Sequence, residues 1–241
     1  MQRPQRLLIA LFLAVGTPAL AQLSVVAEPA HLTVARQLLA QLDLANTNYE
    51  HGAPRVKFTN PCASHADCSG FADALLEHVY GFDKQQFRAI FGSGRPTAAR
   101  YHDAIRAQNG FKLMDRVQDI LPGDFLAVKY LNRNDNTGHV MLVAERPRRI
   151  RPTQPLIEQT EQWEARVIDS SESGHGPSDT RHGKGADGKD HDGLGQGTLR
   201  LYTDSQGQIA GFTWSTLAKS QFRSPTEEEM VIGRLEAKFG R

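Results

Sequence analysis

The stretch LPGDFLAVKY, residues 121–130, marks the change from helical to strand periodicity along the chain. Its Pro-Gly pair predicts a turn, and the apolar run that follows suits a strand. HVMLVAE, residues 139–145, is apolar on both faces, which favours a central strand. Hairpin spacing predicts three more strands of antiparallel character at 164–171, 197–204 and 208–214.

Helical patterns occupy the chain before this point. AHLTVARQLLAQLDL, residues 30–44, carries apolar residues at three- and four-residue steps and predicts an amphipathic helix. Residues 45–67 are rich in turn formers and predict a loop. Three more helices are predicted, from Cys68 to the stop at Gly81, at 84–92 and at 97–108. Helices followed by strands indicate an α+β domain.

The C-terminal tail and the overall length complete this picture. The tail after Pro225 is charged and predicts a short peripheral helix. No internal repeat and no second domain pattern is visible in the 241 residues. Residues 22–241 are therefore expected to form a single domain.

The first 21 residues read as a secretory signal peptide. MQRPQR supplies two arginines, LLIALFLAVG supplies ten apolar residues, and the segment ends on Ala-Leu-Ala. The apolar run is shorter than the roughly 20 residues that span a bilayer, and no lipidated cysteine is expected after cleavage. The chain is therefore expected to be periplasmic or secreted and not membrane-spanning. Its net charge of +1 gives no support for nucleic acid as a partner.

The chain has two cysteines, Cys62 and Cys68. Export favours a disulfide between them, because extracellular compartments are oxidising. A bridge over so short a loop stabilises by only about 2 kcal/mol in the loop-entropy model. The alternatives are a free Cys68 with Cys62 as a bystander, or a pair that locks the protein when oxidised.

The sequence around Cys68 suits a nucleophile. A thiol attacks carbonyls as the thiolate. Cys68 lies where a helix is predicted to begin, so unpaired amides and the positive dipole end favour a negative sulfur. Asp67 can cap that turn, while Ser69 and Gly70 are small enough to leave the sulfur accessible. The same amides can form an oxyanion hole.

His139 and Asp169 are the candidate partners of this thiol. His139 opens a predicted strand after a polar loop, where a histidine can reach a cleft as a base. Asp169 ends Val-Ile-Asp on the next predicted strand and can orient the imidazole. Taken singly, His139 is equally compatible with a surface histidine that ends a loop. Asp169 alone is equally compatible with an aspartate that starts a turn.

DCSGFADALL (67–76), LPGDFLAV (121–128), GHVMLVAE (138–145) and VIDSS (167–171), in this order, resemble the NlpC-type cell-wall peptidases. The resemblance implies a papain-like fold, with N-terminal helices, the nucleophile at a helix N-terminus and an antiparallel β-sheet. It also implies a cysteine hydrolase that cleaves peptidoglycan stem peptides and needs no cofactor. By this likeness Cys68 is the nucleophile, His139 the base and Asp169 the orienting residue. Tyr49 matches the tyrosine that borders the family's oxyanion site, where Ser69 also lies.

Two features depart from that family. The third position is usually His, Asn or Gln, although a carboxylate can also hold an imidazole in the required tautomer. The segment 173–197 is rich in Gly, Asp and His and has no counterpart in the minimal pattern. It lacks the ligand spacing of calcium or zinc sites, so no metal site is predicted. A mobile loop, or a loop beside the active site, is expected instead.

Other functions remain open on the sequence. The same three residues would serve an amidase or an acyltransferase acting on another acyl substrate. A non-catalytic binding module could also keep the scaffold, and a His-rich loop could belong to a periplasmic metal carrier. The reactivity of Cys68 separates the enzymes from the others.

Overall fold

The computed structural model describes residues 27–133, 136–185, 187–236 and 239. The predicted signal peptide lies outside the described residues. Within them, four α-helices form at the four predicted places: α1 Ala30–Gln41, α2 Cys68–Tyr80, α3 Lys84–Phe91 and α4 Ala98–Arg106. No helix in this part of the chain combines the length and the apolar character that crossing a bilayer requires.

Local sequence explains where helix α2 begins and ends. The side chain of Asp67 accepts a hydrogen bond from the Gly70 amide at 2.6 Å, as an N-cap aspartate does. At the other end, Gly81 adopts a left-handed conformation with φ of 68° and donates its amide to the last turn. A glycine is favoured there because it has no Cβ to clash. Cys68 is therefore fixed as the first residue of this helix.

The described residues also form twelve β-strands. The strands are β1 Thr47–Asn48, β2 Arg55–Lys57, β3 Ala63–His65, β4 Phe111–Leu113, β5 Phe125–Tyr130, β6 Gly138–Val143, β7 Arg148–Arg149, β8 Glu161–Ser171, β9 Gly193–Thr203, β10 Ile209–Thr213, β11 Phe222–Arg223 and β12 Glu228–Leu235. Strands β1, β3 and β2 form a small sheet in that order. The other nine form one large antiparallel sheet, ordered β11-β10-β9-β8-β6-β5-β12-β4, with β7 paired to β8.

Both faces of the large sheet are buried. Alternate residues of a strand point to opposite faces, so strands buried on both sides are apolar throughout. One face packs on the helices, where Leu75, Phe87 and Tyr101 join Phe125 and Leu142 in a single core. On the other face a second core forms. It contains Leu126, Val128, Met141, Val143, Val167, Leu199, Leu201, Phe212 and Ile232. Strand β10 also contacts β12, so the sheet curls around this second core.

The predicted papain-like α+β architecture is wrong. A nine-stranded antiparallel sheet dominates the described residues, and the four helices are a minor part. The helices do not all precede the strands, because β1 to β3 come before α2 and β4 follows α4 directly. These strands have two or three residues each, too few to show an alternating pattern.

The predicted C-terminal helix is also wrong. Residues 228–235 form β12, which lies inside the sheet between β5 and β4. Glu228 and Glu229 favour a helix locally, but Val231 and Ile232 each fill one of the two cores. Burial of both faces outweighs the weak helix propensity of the run.

Candidate functional site

Cys68, His139 and Asp169 come from three different elements and lie together. Cys68 begins α2, His139 is the second residue of β6, and Asp169 lies near the end of β8. His139 Nε2 is 2.6 Å from Asp169 Oδ2, and the sulfur of Cys68 lies near enough to the same imidazole to raise its pKa. Since Nε2 faces the carboxylate, Nδ1 is left for the sulfur. The three predicted residues thus lie in one row, with His139 between Cys68 and Asp169.

The environment of His139 favours its protonated form. The ring is buried, which disfavours a charge, but the negative sulfur of Cys68 and the hydrogen bonds to Cys68 and Asp169 outweigh burial. Together these contacts raise the pKa of His139 to about 10. An imidazolium beside the sulfur stabilises a thiolate, the reactive form of cysteine. The arrangement therefore supports an ion pair between the two side chains.

One hydrogen bond ties the start of α2 to strand β8. Ser170 follows Asp169, and its hydroxyl donates to the carbonyl oxygen of Ala66 at 2.6 Å. Ala66 lies two residues before Cys68. Neither Ser170 Oγ nor Ala66 is exposed, so the bond is shielded from water. It fixes the distance between the helix that carries the sulfur and the strand that carries the carboxylate.

Arg95 clamps the first turn of α2, and the sequence analysis missed it. Its guanidinium lies 3.0 Å from the capping oxygen of Asp67 and 3.1 Å from the Ser69 hydroxyl. One turn further on, it lies 2.8 Å from the buried carboxylate of Asp73. Tyr101 donates to the other oxygen of Asp73 at 2.7 Å. Arg95 comes from the loop between α3 and α4, so these helices support the turn that carries Cys68.

The side chain of Ser69 is bonded within the helix start, so only its backbone amide is available to a ligand. The Ser69 hydroxyl donates to Asp67 at 3.0 Å and accepts from Arg95, so it serves the helix start. The amides of Cys68 and Ser69 belong to the first helical turn, whose N–H groups have no partner within the helix. These two amides are the donors that can face an oxyanion.

The carboxylate of Asp169 is held by residues from the segment between β8 and β9. Arg181 Nη2 donates to Asp169 Oδ1 at 2.9 Å, and its Nη1 reaches the backbone oxygens of Asp169 and Gly193. His175 Nε2 lies 2.9 Å from Asp169 Oδ2. Burial opposes the charge on Asp169, but Arg181 and the two histidines hold the pKa of this carboxyl well below its usual range. Asp169 therefore stays an anion.

A second buried carboxylate completes this network. Asp179 accepts from Arg181 Nε and Nη2, each at 2.8 Å, and from the backbone amide of His175 at 2.8 Å. The side chains of Arg181 and Asp179 are buried together with that of His175. The first half of the segment 173–197 is thus packed against Asp169, beside the row that Asp169 forms with His139 and Cys68.

Two glycines of β9 make room for this packing, and a third faces β1. Gly193, Gly195 and Gly197 alternate along β9, and Gly195 pairs directly with Asp169 of β8. A Cβ on Gly195 would lie 2.5 Å from Arg181 Nε and 2.8 Å from its Cγ and Cδ. A Cβ on Gly197 would clash with His175 and Asp179. The spacing Gly-x-Gly at 195–197 was the signal that could have shown a segment lying on this strand.

Two cavities flank the Cys68 and His139 pair. One, of about 230 Å³, lies beside His139 and is lined by Tyr130, Glu172, His175 and Trp214 among others. The other, of about 190 Å³, contains Cys68 and is lined by His51, Asp67, Ser69, Thr97 and Gly138 among others. Tyr49 and Asn136 line both cavities. The pair therefore lies between two open spaces, as the reacting groups of a cleft do.

Tyr49 lies at the junction of these two cavities. Its partial burial and the negative charges of Cys68, Asp67 and Glu172 raise the pKa of its phenol well above the usual range. The hydroxyl therefore stays protonated and can donate a hydrogen bond into the cleft.

His139, Asp169 and His175 also form the one cluster with metal-ligand geometry among the residues that the structure describes. Their ligand atoms lie within 4.8 Å of one another. However, Arg181 is bonded to the same carboxylate, and a buried guanidinium there repels a cation. Both histidine contacts to Asp169 are hydrogen bonds of ordinary length, so protons, rather than a metal ion, fit this cluster.

The two cysteines do not bridge. Cys62 and Cys68 are both free thiols, and both are buried. Cys62 packs in the helical core, with its sulfur 3.9 Å from the side-chain oxygen of Gln41. Of the alternatives left open by the sequence, the structure has the one in which Cys68 is free and unbridged to Cys62.

Comparison with known proteins gives one clear relationship. The chain is 33% identical over 225 residues to the "Uncharacterized protein R653" of Acanthamoeba polyphaga mimivirus. That alignment covers 87% of this chain and 97% of the viral protein. No family model and no solved structure matches the chain. The chain therefore belongs to the same protein family as this mimivirus protein.

Proposed function

We propose that this protein is an exported cysteine hydrolase that cleaves amide bonds through Cys68, His139 and Asp169. The observation that carries the proposal is the buried row in which Asp169 binds His139 Nε2 at 2.6 Å while the same ring contacts the sulfur at the start of α2. Nucleophile, base and orienting acid in this relation are the requirement for thiol-dependent acyl transfer.

The proposed reaction has two steps. The Cys68 thiolate attacks the amide carbonyl, and the sulfur–carbon bond forms. His139 gives its proton to the leaving amine as the carbon–nitrogen bond breaks, which leaves a thioester. His139, now neutral, takes a proton from water, and the hydroxide attacks the thioester. The acid product leaves, the sulfur departs as thiolate, and His139 is again protonated.

The negative oxygen that develops in both steps needs donors. The amides of Cys68 and Ser69 can supply them at the positive end of α2. Tyr49 lines the cleft on the same side and keeps its hydroxyl proton. In this proposal, Asp169 does not gain a proton. It holds the ring of His139 and stabilises its charge.

Peptidoglycan stem peptides are the proposed substrate. The support is the ordered likeness to NlpC-type cell-wall peptidases, in which Asp-Cys-Ser-Gly at 67–70 and Gly-His-Val at 138–140 supply the proposed nucleophile and base. The N-terminal segment 1–21, with the pattern of a signal peptide, would deliver the enzyme to that polymer.

Digestion of purified sacculi, followed by mass analysis of the released muropeptides, tests the proposal. Wild-type protein should release cleaved stem peptides, and Cys68→Ala should release none. Cys62→Ala is the matched control, because it removes the other buried thiol and leaves the row intact. It should digest like the wild type. A Cys68→Ala protein that is folded and fully active would refute the proposal.

The same experiment can be widened to separate related activities. A panel of protein amides and small amides, with and without an added amine acceptor, distinguishes a peptidase from an amidase or an acyltransferase. Activity on this panel, with intact sacculi unaffected, would keep the proposed chemistry and replace the proposed substrate. Activity that survives Cys68→Ala but is lost with a chelator would replace the chemistry itself.

A further inference from the structure

One carboxylate oxygen of Asp169 is hydrogen-bonded to two imidazoles. His139 Nε2 lies 2.6 Å from Oδ2, and His175 Nε2 lies 2.9 Å from the same atom. A row of nucleophile, base and acid needs only the first of these contacts. The second histidine is buried, comes from the segment between β8 and β9, and has no part in the steps proposed above.

The partners of His175 define how many protons it carries. Its Nδ1 lies 2.9 Å from the backbone carbonyl oxygen of Trp214, which can only accept a hydrogen bond. Its Nε2 faces an ionised carboxylate, which also only accepts. Both ring nitrogens must therefore donate, and the form of the ring that does so is the imidazolium. The indole of Trp214 stacks on the ring at 6.0 Å and 18°, which suits a cation.

Charges in the buried network balance when His175 is positive. Asp169 and Asp179 are two anions, and Arg181 and His175 are two cations. The remaining pair, Cys68 and His139, then shares its proton in a site without excess charge. A neutral His175 would leave one uncompensated carboxylate beside the base.

The other ionisable groups near the two imidazoles line the cleft or contact Trp214. They are Tyr49, Tyr130, Arg133 and Glu172 in the adjoining cavity, Asp67 and His51 beside Cys68, and Glu228, whose carboxylate accepts from Trp214 Nε1. Buried charges interact more strongly than exposed ones at equal distance. His175 and Arg181 are the buried cations in contact with Asp169. They therefore set how strongly the charge of Asp169 stabilises the proton on His139.

We propose that His175 is a positioning residue that, held between Asp169 and the Trp214 carbonyl, offsets part of the carboxylate's charge and so sets how firmly His139 holds its proton. This proposal rests on the proposed function. It assigns the Gly-rich segment a role in the proton chemistry of the site, beyond that of a surface loop.

The proposal predicts a specific shift. The ring centres of His139 and His175 are 6.5 Å apart. Loss of one positive charge at that distance should move both ionisations of the Cys68 and His139 pair to higher pH by about one unit. The thiolate becomes harder to form, and the imidazolium becomes harder to deprotonate. A purely structural defect would lower reactivity at every pH without moving either midpoint.

Alkylation by iodoacetamide tests this shift without any assumption about substrate. In a Cys62→Ala background, the rate of Cys68 alkylation is measured across pH for His175→Gln, which keeps a donor toward Asp169 but carries no charge. His182→Gln is the control, from the same segment but exposed. Both midpoints should rise by about one unit in the first protein and stay in place in the second.

The outcomes separate this proposal from the function on which it rests. If Cys68 of the wild type does not react at neutral pH, the ion pair is absent and the proposed function fails. If it reacts, but the His175→Gln profile superimposes on the wild-type profile, only the role of His175 fails.

A second measurement covers the case in which no variant at 175 folds. In ¹⁵N-histidine-labelled His139→Gln protein, one imidazole in contact with the Trp214 indole should keep protons on both nitrogens at pH 8. If the ring beside Trp214 carries a single proton there, the proposal is overturned.

Discussion

Arg95 Nη2 donates to Asp67 Oδ1 at 3.0 Å, and that oxygen also caps the Gly70 amide. The helix that carries Cys68 is therefore held at its first turn by a residue from the loop between α3 and α4. Through Nη1, the same guanidinium lies 2.8 Å from Asp73, whose side chain is only 3% exposed and whose burial raises its pKa to about 7 despite this partner. The geometry of the sulfur thus depends on a contact across more than twenty residues of chain.

Arg95→Gln should weaken both the fold and the reaction. It leaves the carboxylate of Asp73 buried without its cation, and loss of one partner of a buried pair is costly. Because the Arg95 side chain is 36% exposed, we expect a loss of about 2 kcal/mol in the free energy of unfolding, less than for a fully buried pair. Urea denaturation measures it. Arg88→Gln, at an exposed position of α3, is the control and should change stability by less than about 0.5 kcal/mol.

The activity of the wild type should extend far into alkaline pH. The pKa of His139 is raised, so the imidazolium persists through neutral pH and is lost only as the pH passes about 10. Since the leaving amine needs that proton, kcat/KM should fall with a midpoint near pH 10 rather than near 6.5. Initial rates across the alkaline range measure the midpoint. A midpoint close to 6.5 would contradict the ion pair described here.

Asp169→Asn should move that midpoint down. The substitution removes the negative charge that stabilises the imidazolium, so His139 loses its proton at lower pH. We also expect kcat/KM at its optimum to fall by roughly 10²- to 10⁴-fold, because the ring loses its orienting partner. The same pH series measures both effects. An unchanged midpoint would show that the carboxylate does not act on His139.

Gly195→Ala should damage the site from the opposite strand. The new methyl group would lie 2.5 Å from Arg181 Nε, in a position where the buried side chain has no room to move. We expect about 2 kcal/mol of destabilisation from overpacking, with reduced activity because Arg181 supports Asp169. Thermal denaturation and rate measurements test this. Gly94→Ala meets nothing closer than 3.5 Å and should behave like the wild type.

Local patterns predicted the helices and the three residues of the candidate row. Helical periodicity and an Asp cap placed Cys68 at the first residue of α2, and a strand start placed His139 at the edge of β6. Both are properties of a few neighbouring residues. The residues that surround the row could not be found in this way, because Arg95, His175 and Arg181 act only through contacts with distant elements.

The sheet was underestimated for a related reason. Strands β1 to β4 are too short to show a period, and β12 begins with glutamates that favour a helix. What makes β12 a strand is the pair of neighbours β5 and β4, which satisfy its backbone on both sides. Partners of this kind, distant in sequence, are invisible in a single segment.

The segment between β8 and β9 starts and ends at adjacent positions of the sheet, since Ser171 pairs with Gly193. Its inner half carries the buried His175, Asp179 and Arg181, while Lys184 and Lys189 in the outer half are exposed. A trypsin cut after either lysine would divide the chain in two, yet the two eleven-residue strands would still bind the fragments to each other. The nicked protein should therefore run as one species on a sizing column, separate only in denaturant, and keep Cys68, His139 and Asp169 together.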